Sequence, residues 1–340
     1  VSKNLKSVIV LLVGVALVYL FFRQLDWQTV GAHLHEANPW LIVAGVIMIY
    51  GTLVARSLRW QVLLAPIKKV SLRNAFAANT IGFGSIFVFG RAGEVVRPIV
   101  MSLRERLNPG ATIATVFIER IFDTAAVVAM FAGNLLFFVP PENQAGNAAV
   151  MRSIRLTGLL LSLGVIAGLG LLVLLRLKAD VFLAWMGRIT RPLPQKVSSL
   201  LLGLLRHLAE GLSVLVNLKE LLLAIFYTAL VWGTVTAAAW LVVRAFNISF
   251  SLSYIIFLLG FGLVGSAVPT PGGGAGAFHV ATQRALMFLG LETNLAAAIA
   301  VVFHLVSFGP PFLLSFYFLV RDDIRLSQLR EMMTPDHPAT

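Results

Sequence analysis

The sequence predicts an all-α, polytopic membrane protein. The expected architecture is about six spanning helices plus two re-entrant helical hairpins from opposite faces. Three observations carry that reading. The chain is 58% hydrophobic and only 12% charged over 340 residues, whereas soluble domains are roughly one quarter charged. Apolar runs near the roughly 20 residues that cross a hydrocarbon core recur along it. Two further apolar runs are interrupted by glycine, one of them also by proline, and cannot continue as helix through lipid.

The spans follow in order. The first, 8–22, comes after Lys3 and Lys6 and is followed by no small-x-small cleavage site, so it reads as an uncleaved anchor. The others are 39–58, 112–139, 156–175, 221–243 and 295–320, the last interrupted by His304 and by Pro310 and Pro311. The stretch 75–90 carries Gly82 and Gly84 in its middle, and 254–289 carries Pro269, Pro271, Gly272, Gly273 and Gly274. Irregular backbone at membrane depth survives only where protein or a watery cavity satisfies it. Each stretch is therefore expected to be a re-entrant pair of half-helices. Two complete spans joined by a surface loop are the other reading of the second. Segment 197–216 has Arg206, His207 and Glu210 in an apolar run and is expected to lie in the inner interface. One domain over 1–320 and a short polar tail over 321–340 complete the organisation.

Lys and Arg number 27 against 15 Asp and Glu, a net charge of +12. With this hydropathy the excess is a topology signal and an attraction to anionic lipid, and no nucleic-acid partner is expected. Arg56, Arg59, Lys68, Lys69 and Arg73 are taken as one basic loop, Arg91 to Arg106 as a second, and the basic residues of 176–206 as a third. Placing all three inside makes both termini cytoplasmic. It also opens the first hairpin to the cytoplasm and the second to the outer side. Cysteine is absent, which excludes disulfides, thiolate metal sites and cysteine nucleophiles. No His/Asp/Glu set has metal spacing, so neither metal nor cofactor is expected.

Opposed hairpins suggest an inverted repeat. Gly90 and Gly274 stand 184 residues apart, as do Arg120 and His304. Opposed half-helices aim their positive N-termini at a common point, an arrangement suited to an anion.

Three patches carry the candidate chemistry. If a half-helix begins near Gly93, Glu94 and Arg97 share its face and Arg91 precedes them; two guanidiniums around one carboxylate can hold a phosphate. Glu119, Arg120 and Asp123 lie deep in an apolar span, where each ionised group costs roughly 2.5–3.5 kcal/mol, so they face the bundle interior or a cavity. In the third, Gly272, Gly273 and Gly274 free backbone N–H groups ahead of a half-helix that contains His279. The competing readings are a topology-setting cluster, an internal salt-bridge staple and small-residue packing. No residue is assigned a catalytic role.

In this order the patches Arg91-x-Gly93-Glu94-x-x-Arg97, Glu119-Arg120-x-x-Asp123 and Pro269-x-Pro271-Gly272-Gly273 resemble the transmembrane, flippase-like (UPF0104-type) part of the lysylphosphatidylglycerol synthase family. That group includes the membrane half of the multiple peptide resistance factor. The resemblance covers nearly the whole chain. It implies translocation of an anionic or aminoacylated phospholipid, or of a polyprenyl-linked lipid, across a bacterial or archaeal cytoplasmic membrane. The soluble aminoacyltransferase domain of two-part members is missing, so this chain is not expected to make lysylphosphatidylglycerol. The family pattern places Glu where this chain has His279 and Arg where it has His304; a compensated swap implies that the two histidines are neighbours. The resemblance thus implies a transporter, not an enzyme. The lipid phosphate would sit on Arg91, Arg97 and Arg120, with Glu94, Glu119 and Asp123 orienting them. A membrane-embedded transferase, a subunit presenting lipid to a separate synthase, and a small-ion channel are the alternatives. Homo-oligomerisation is left open.

Overall fold

The computed structural model describes residues 19, 23, 25–141, 148–177, 187–188, 217–268 and 270–321. The expected span at 8–22, the interfacial helix at 197–216, most of the basic segment 176–206, Pro269, the Arg91 side chain and the tail beyond Arg321 lie outside these. All regular structure among the described residues is helical.

Helix α1 (Trp27–Glu36) is followed by α2 (Pro39–Leu64), α3 (Leu72–Phe89), a 3-10 turn (Gly90–Val95), α4 (Val96–Glu105) and α5 (Pro109–Phe137). Then come α6 (Ala148–Leu177), α7 (Leu218–Ala245), α8 (Leu252–Ser266), the four-residue α9 (Pro271–Gly274), α10 (Ala277–Phe288) and α11 (Thr293–Arg321). Both α2 and α5 start on an Asn-Pro pair. The side chains of Asn38 and Asn108 accept backbone N–H groups of their first turns, and Pro39 and Pro109 fill the position that has no N–H to satisfy. Among the described residues, three helices are long and apolar enough to cross a membrane: Pro39–Leu64, Leu218–Ala245 and Thr293–Leu319.

A long helix, a helical hairpin and a second long helix occur twice, as α2–α5 and as α7–α11. The two runs are inverted relative to each other. Asn38 N–H at the start of α2 donates to the carbonyl of Ala245 at the end of α7. Thr52 and Thr234 hydroxyls meet at 2.8 Å midway, and Arg59 reaches Thr228 near the other end. Those three contacts make α2 and α7 antiparallel neighbours. The cross-packing is reciprocal. Helix α3 lies antiparallel on α11, with Phe87 against Phe312 and Phe76 against Phe318. Its counterpart α8 lies antiparallel on α5, with Gly260 against Phe131 and Asn134 Nδ2 donating to the carbonyl of Ser253. The two hairpins therefore enter from opposite ends of the bundle, and the tip of the second, α9, packs against α3 and the tip turn of the first.

Three expectations are corrected. Gly82 and Gly84 do not break 75–90: α3 runs through both and the chain reverses at Gly90–Val95. Their lack of a Cβ serves close packing instead. A Cβ on Gly82 would fall 2.6 Å from Arg97 Cβ, and one on Gly84 would meet the Ser315 side chain. The second span does not end at Leu58. The apolar run Trp60-Gln-Val-Leu-Leu carries α2 to Leu64, just short of Pro66, so Arg56 and Arg59 belong to the helix and not to a basic loop. Finally, Pro310 and Pro311 do not interrupt α11, which continues to Arg321.

Candidate functional site: a buried arginine–carboxylate cluster

Helix α5 supplies the carboxylates. Glu119 and Asp123 are four residues apart, which puts them on one face, and both are buried. Helix α2 supplies Arg56 and Arg59, three residues apart and also buried. Arg59, with 0% exposure, bridges both acids: Nη1 lies 2.7 Å from Asp123 Oδ1 and Nη2 lies 2.9 Å from Glu119 Oε1. Arg56 Nη1 sits 3.0 Å from Asp123 Oδ2. Arg97, from α4, grips Glu119 with both terminal nitrogens, at 2.9 and 2.6 Å. Its guanidinium lies 3.9 Å above the Trp60 ring, whose Nε1 donates to Thr115. Arg120 touches Glu119 at 3.2 Å and Asp123 at 3.1 Å.

Four guanidiniums thus surround two carboxylates. Glu94, in the first hairpin's tip turn, acts electrostatically on Arg120, so even with it counted the cations outnumber the anions by one. Arg120 keeps 37% of its side-chain surface accessible, while the other three side chains keep at most 9%. The Nε–H groups of Arg59, Arg97 and Arg120 have no acceptor among the described residues. Buried donors are almost always satisfied, and guanidiniums offer planar forks that match phosphate oxygens.

Of the residues singled out from sequence, Arg97, Glu119, Arg120 and Asp123 come together here, with Glu94 close by. Arg97, the second residue of α4, pairs with Glu119 of α5. From sequence alone, Arg56 and Arg59 belong to a basic loop. Two signals could have found them: the unbroken apolar run to Leu64, and the need of two buried carboxylates for more cation than Arg120 alone.

Gly272, Gly273, Gly274, His279 and His304 form a second, separate group at the tip of the other hairpin. Gly272 and Gly273 take left-handed conformations, at φ 73° and 69°, which only glycine adopts freely. Gly273 packs on the Phe308 ring and Gly274 on the Ser266 backbone. His304 Nε2 lies 2.8 Å from the carbonyl of Gly272. A carbonyl only accepts, so this nitrogen carries the proton. At the N-terminus of α10, His279 Nδ1 accepts the Gly276 N–H at 3.3 Å. The two rings do meet, with centroids 4.6 Å apart, and Phe278 and Phe308 flank them. Arg97 is the second residue of α4 and reaches the eleventh of α5. His279 is the third of α10 and reaches the twelfth of α11. The histidine contact in the second repeat therefore occupies the place of the Arg97–Glu119 ion pair in the first.

Antiparallel repeats, helices of membrane-crossing length and an ionic cluster inside the bundle define a multi-pass helical membrane protein. Residues 7–315 match the family described as the lysylphosphatidylglycerol synthase TM region, and the chain belongs to that family. It is also similar to a UPF0104 membrane protein of Methanothermobacter thermautotrophicus, at 29% identity over 292 residues, which cover 79% of this chain and 80% of that protein.

Proposed function

We propose that the protein translocates an anionic lipid between leaflets, its phosphate held on Arg56, Arg59, Arg97 and Arg120, without acting as an enzyme on it. The observation that carries this reading is the excess of buried guanidinium over carboxylate, with donors left over, beside the tip turn of the first hairpin. A pure staple would balance its charges and use its donors. The accessible edge of Arg120 is the entry for a headgroup, and Glu119 and Asp123 hold the forks in place. Rocking of one repeat against the other would expose the site alternately.

The cytoplasmic membrane is the proposed location. Lys68, Lys69, Arg73, Arg104 and Arg106 gather at the end of the bundle where α2–α3 and α4–α5 connect, tied there by Lys68–Glu105 and Arg104–Asn74. The positive-inside rule puts that end in the cytoplasm. It makes the first hairpin re-entrant from the cytoplasmic side and the second from the outer side.

The test is a vesicle assay. The purified full chain is reconstituted into phosphatidylcholine vesicles carrying a trace of fluorescent phosphatidylglycerol, and dithionite quenching reports the fraction that changes leaflet. Wild type should raise that fraction above protein-free vesicles and Arg120→Gln should return it to baseline. Equal quenching with and without the protein refutes the reading.

A further inference from the structure

Glu119 and Asp123 are not the whole of the negative charge at the arginine cluster. Glu94 stands in the tip turn of the first hairpin, Gly90–Val95, three residues ahead of Arg97. It is half-buried, and the turn that carries it is pinned from two sides. Gly93 packs directly on the backbone of Ser85 and Ile86, and α9 of the second hairpin packs on the same turn. The Glu94 charge is among the foremost acting on Arg120, and not among those acting on Arg56, Arg59 or Arg97. Of these four arginines Arg120 is the accessible one, with 37% of its side chain exposed. Glu94 therefore lies on the open side of the cluster, where a phosphate arrives, and not among the closed ion pairs.

We propose that Glu94 sets the charge selectivity of this site, admitting a singly charged phosphate and disfavouring a doubly charged one. The inference rests on the headgroup reading above and adds to it the charge that the site accepts. Coulomb energy grows in proportion to the charge of the ligand. A fixed carboxylate at the entrance therefore costs a dianion twice the free energy that it costs a monoanion. Its half-buried position limits screening by salt. Removing the charge must then favour the two ligands unequally: the factor gained by the dianion is the square of the factor gained by the monoanion. A carboxylate that only oriented the arginines would move both ligands by the same factor, toward weaker binding. Arg91 belongs to the same turn, but its charge is common to wild type and variant and drops out of the comparison.

The test uses the full chain in detergent at pH 8 and native mass spectrometry. Dioleoyl-phosphatidylglycerol, dioleoyl-phosphatidic acid and inorganic phosphate are the separate probes. The two lipids share their chains. At that pH the first is a monoanion and the second approaches a dianion, because a phosphomonoester loses its second proton near about pH 6. Glu94→Gln removes the charge and keeps the shape, while Glu94→Asp keeps the charge. Arg120→Gln serves as the headgroup control, and thermal unfolding confirms that each variant folds. Glu94→Gln should tighten phosphatidylglycerol about fivefold and phosphatidic acid about twenty-five-fold, the effect of one partly screened charge about 10 Å away. Glu94→Asp should stay close to wild type for both. Equal shifts for the two lipids, weaker binding of both, or a Glu94→Asp protein that behaves like Glu94→Gln overturns the inference. The headgroup reading survives that failure if Arg120→Gln weakens both lipids. If Arg120→Gln binds both lipids as wild type does, both readings fall. Inorganic phosphate tightened by Glu94→Gln when neither lipid is would assign the site to a soluble anion and overturn the lipid reading, while the charge selection stands.

Discussion

Arg97 holds Glu119 through two parallel hydrogen bonds, at 2.9 and 2.6 Å, while its opposite face stacks on Trp60. The pair joins α4, the returning arm of the first hairpin, to the span that follows it. Removing the acid strands several buried cations. Glu119→Gln should therefore cost about 3–5 kcal/mol, read as a lower unfolding temperature in detergent. Arg97→Lys keeps the charge but loses the fork and the stack, and should fall between wild type and Glu119→Gln. A Glu119→Gln protein as stable as wild type would show that the cluster does not hold the hairpin.

The tip of the first hairpin depends on contact without side chains. A Cβ on Gly93 would run into the backbone of Ser85 and Ile86. Gly93→Ala should destabilise by about 1–3 kcal/mol through overpacking. Gly133, inside α5, has open space where its Cβ would go, and Gly133→Ala should stabilise by about 0.5–1 kcal/mol. Chemical unfolding of the two variants side by side checks the contrast.

The antiparallel contact of the repeats is testable by cross-linking, because the chain has no cysteine to interfere. Thr52 and Thr234 hydroxyls are 2.8 Å apart. Cysteines introduced at both positions should oxidise to a disulfide, seen as an altered gel mobility that reductant reverses. Thr52→Cys paired with Trp240→Cys, two turns further along α7, should not cross-link.

His279 and His304 should behave as a coupled pair. Each single alanine variant removes the same ring contact, so their combined cost should fall short of the sum by about 1 kcal/mol. The exchange His279→Glu with His304→Arg puts an ion pair in place of the ring contact and should fold better than either single exchange. Strict additivity in the alanine cycle would separate the two rings energetically.

At the loop end of α4, Glu105 meets Lys68, Asn74 and the Ser71 N–H. Partial burial pushes its carboxyl up, but hydrogen bonds from Asn74 and Lys68 outweigh that and hold it below its ordinary value. The folded state thus favours the ionised form. The resulting stability is fully present above the unfolded value of about 4.3 and is lost as pH falls through the lower folded value. Glu105→Gln should therefore lower the unfolding temperature at pH 7 and have a smaller effect near pH 3. A pH-independent effect would rule out the carboxylate as its source.

Much of this protein was legible in its sequence. Long apolar runs, Asn-Pro starts and a glycine-rich tip are local signals, and they determined the helical membrane class, the second hairpin and the interior position of Glu119, Arg120 and Asp123. An ionised residue in an apolar span can be recognised without its partner, because lipid tolerates it nowhere else. The partners were a matter of tertiary structure. Arg56 and Arg59 look like ordinary flanking charges until α5 is seen to set Asp123 and Glu119 against them. Gly82 and Gly84 look like helix breakers until Arg97 and Ser315 are seen to need the space. The sequence determined which residues could not face lipid; only the antiparallel packing of the two repeats decided which of them meet, because burial is a property of one segment and an ion pair is a property of two.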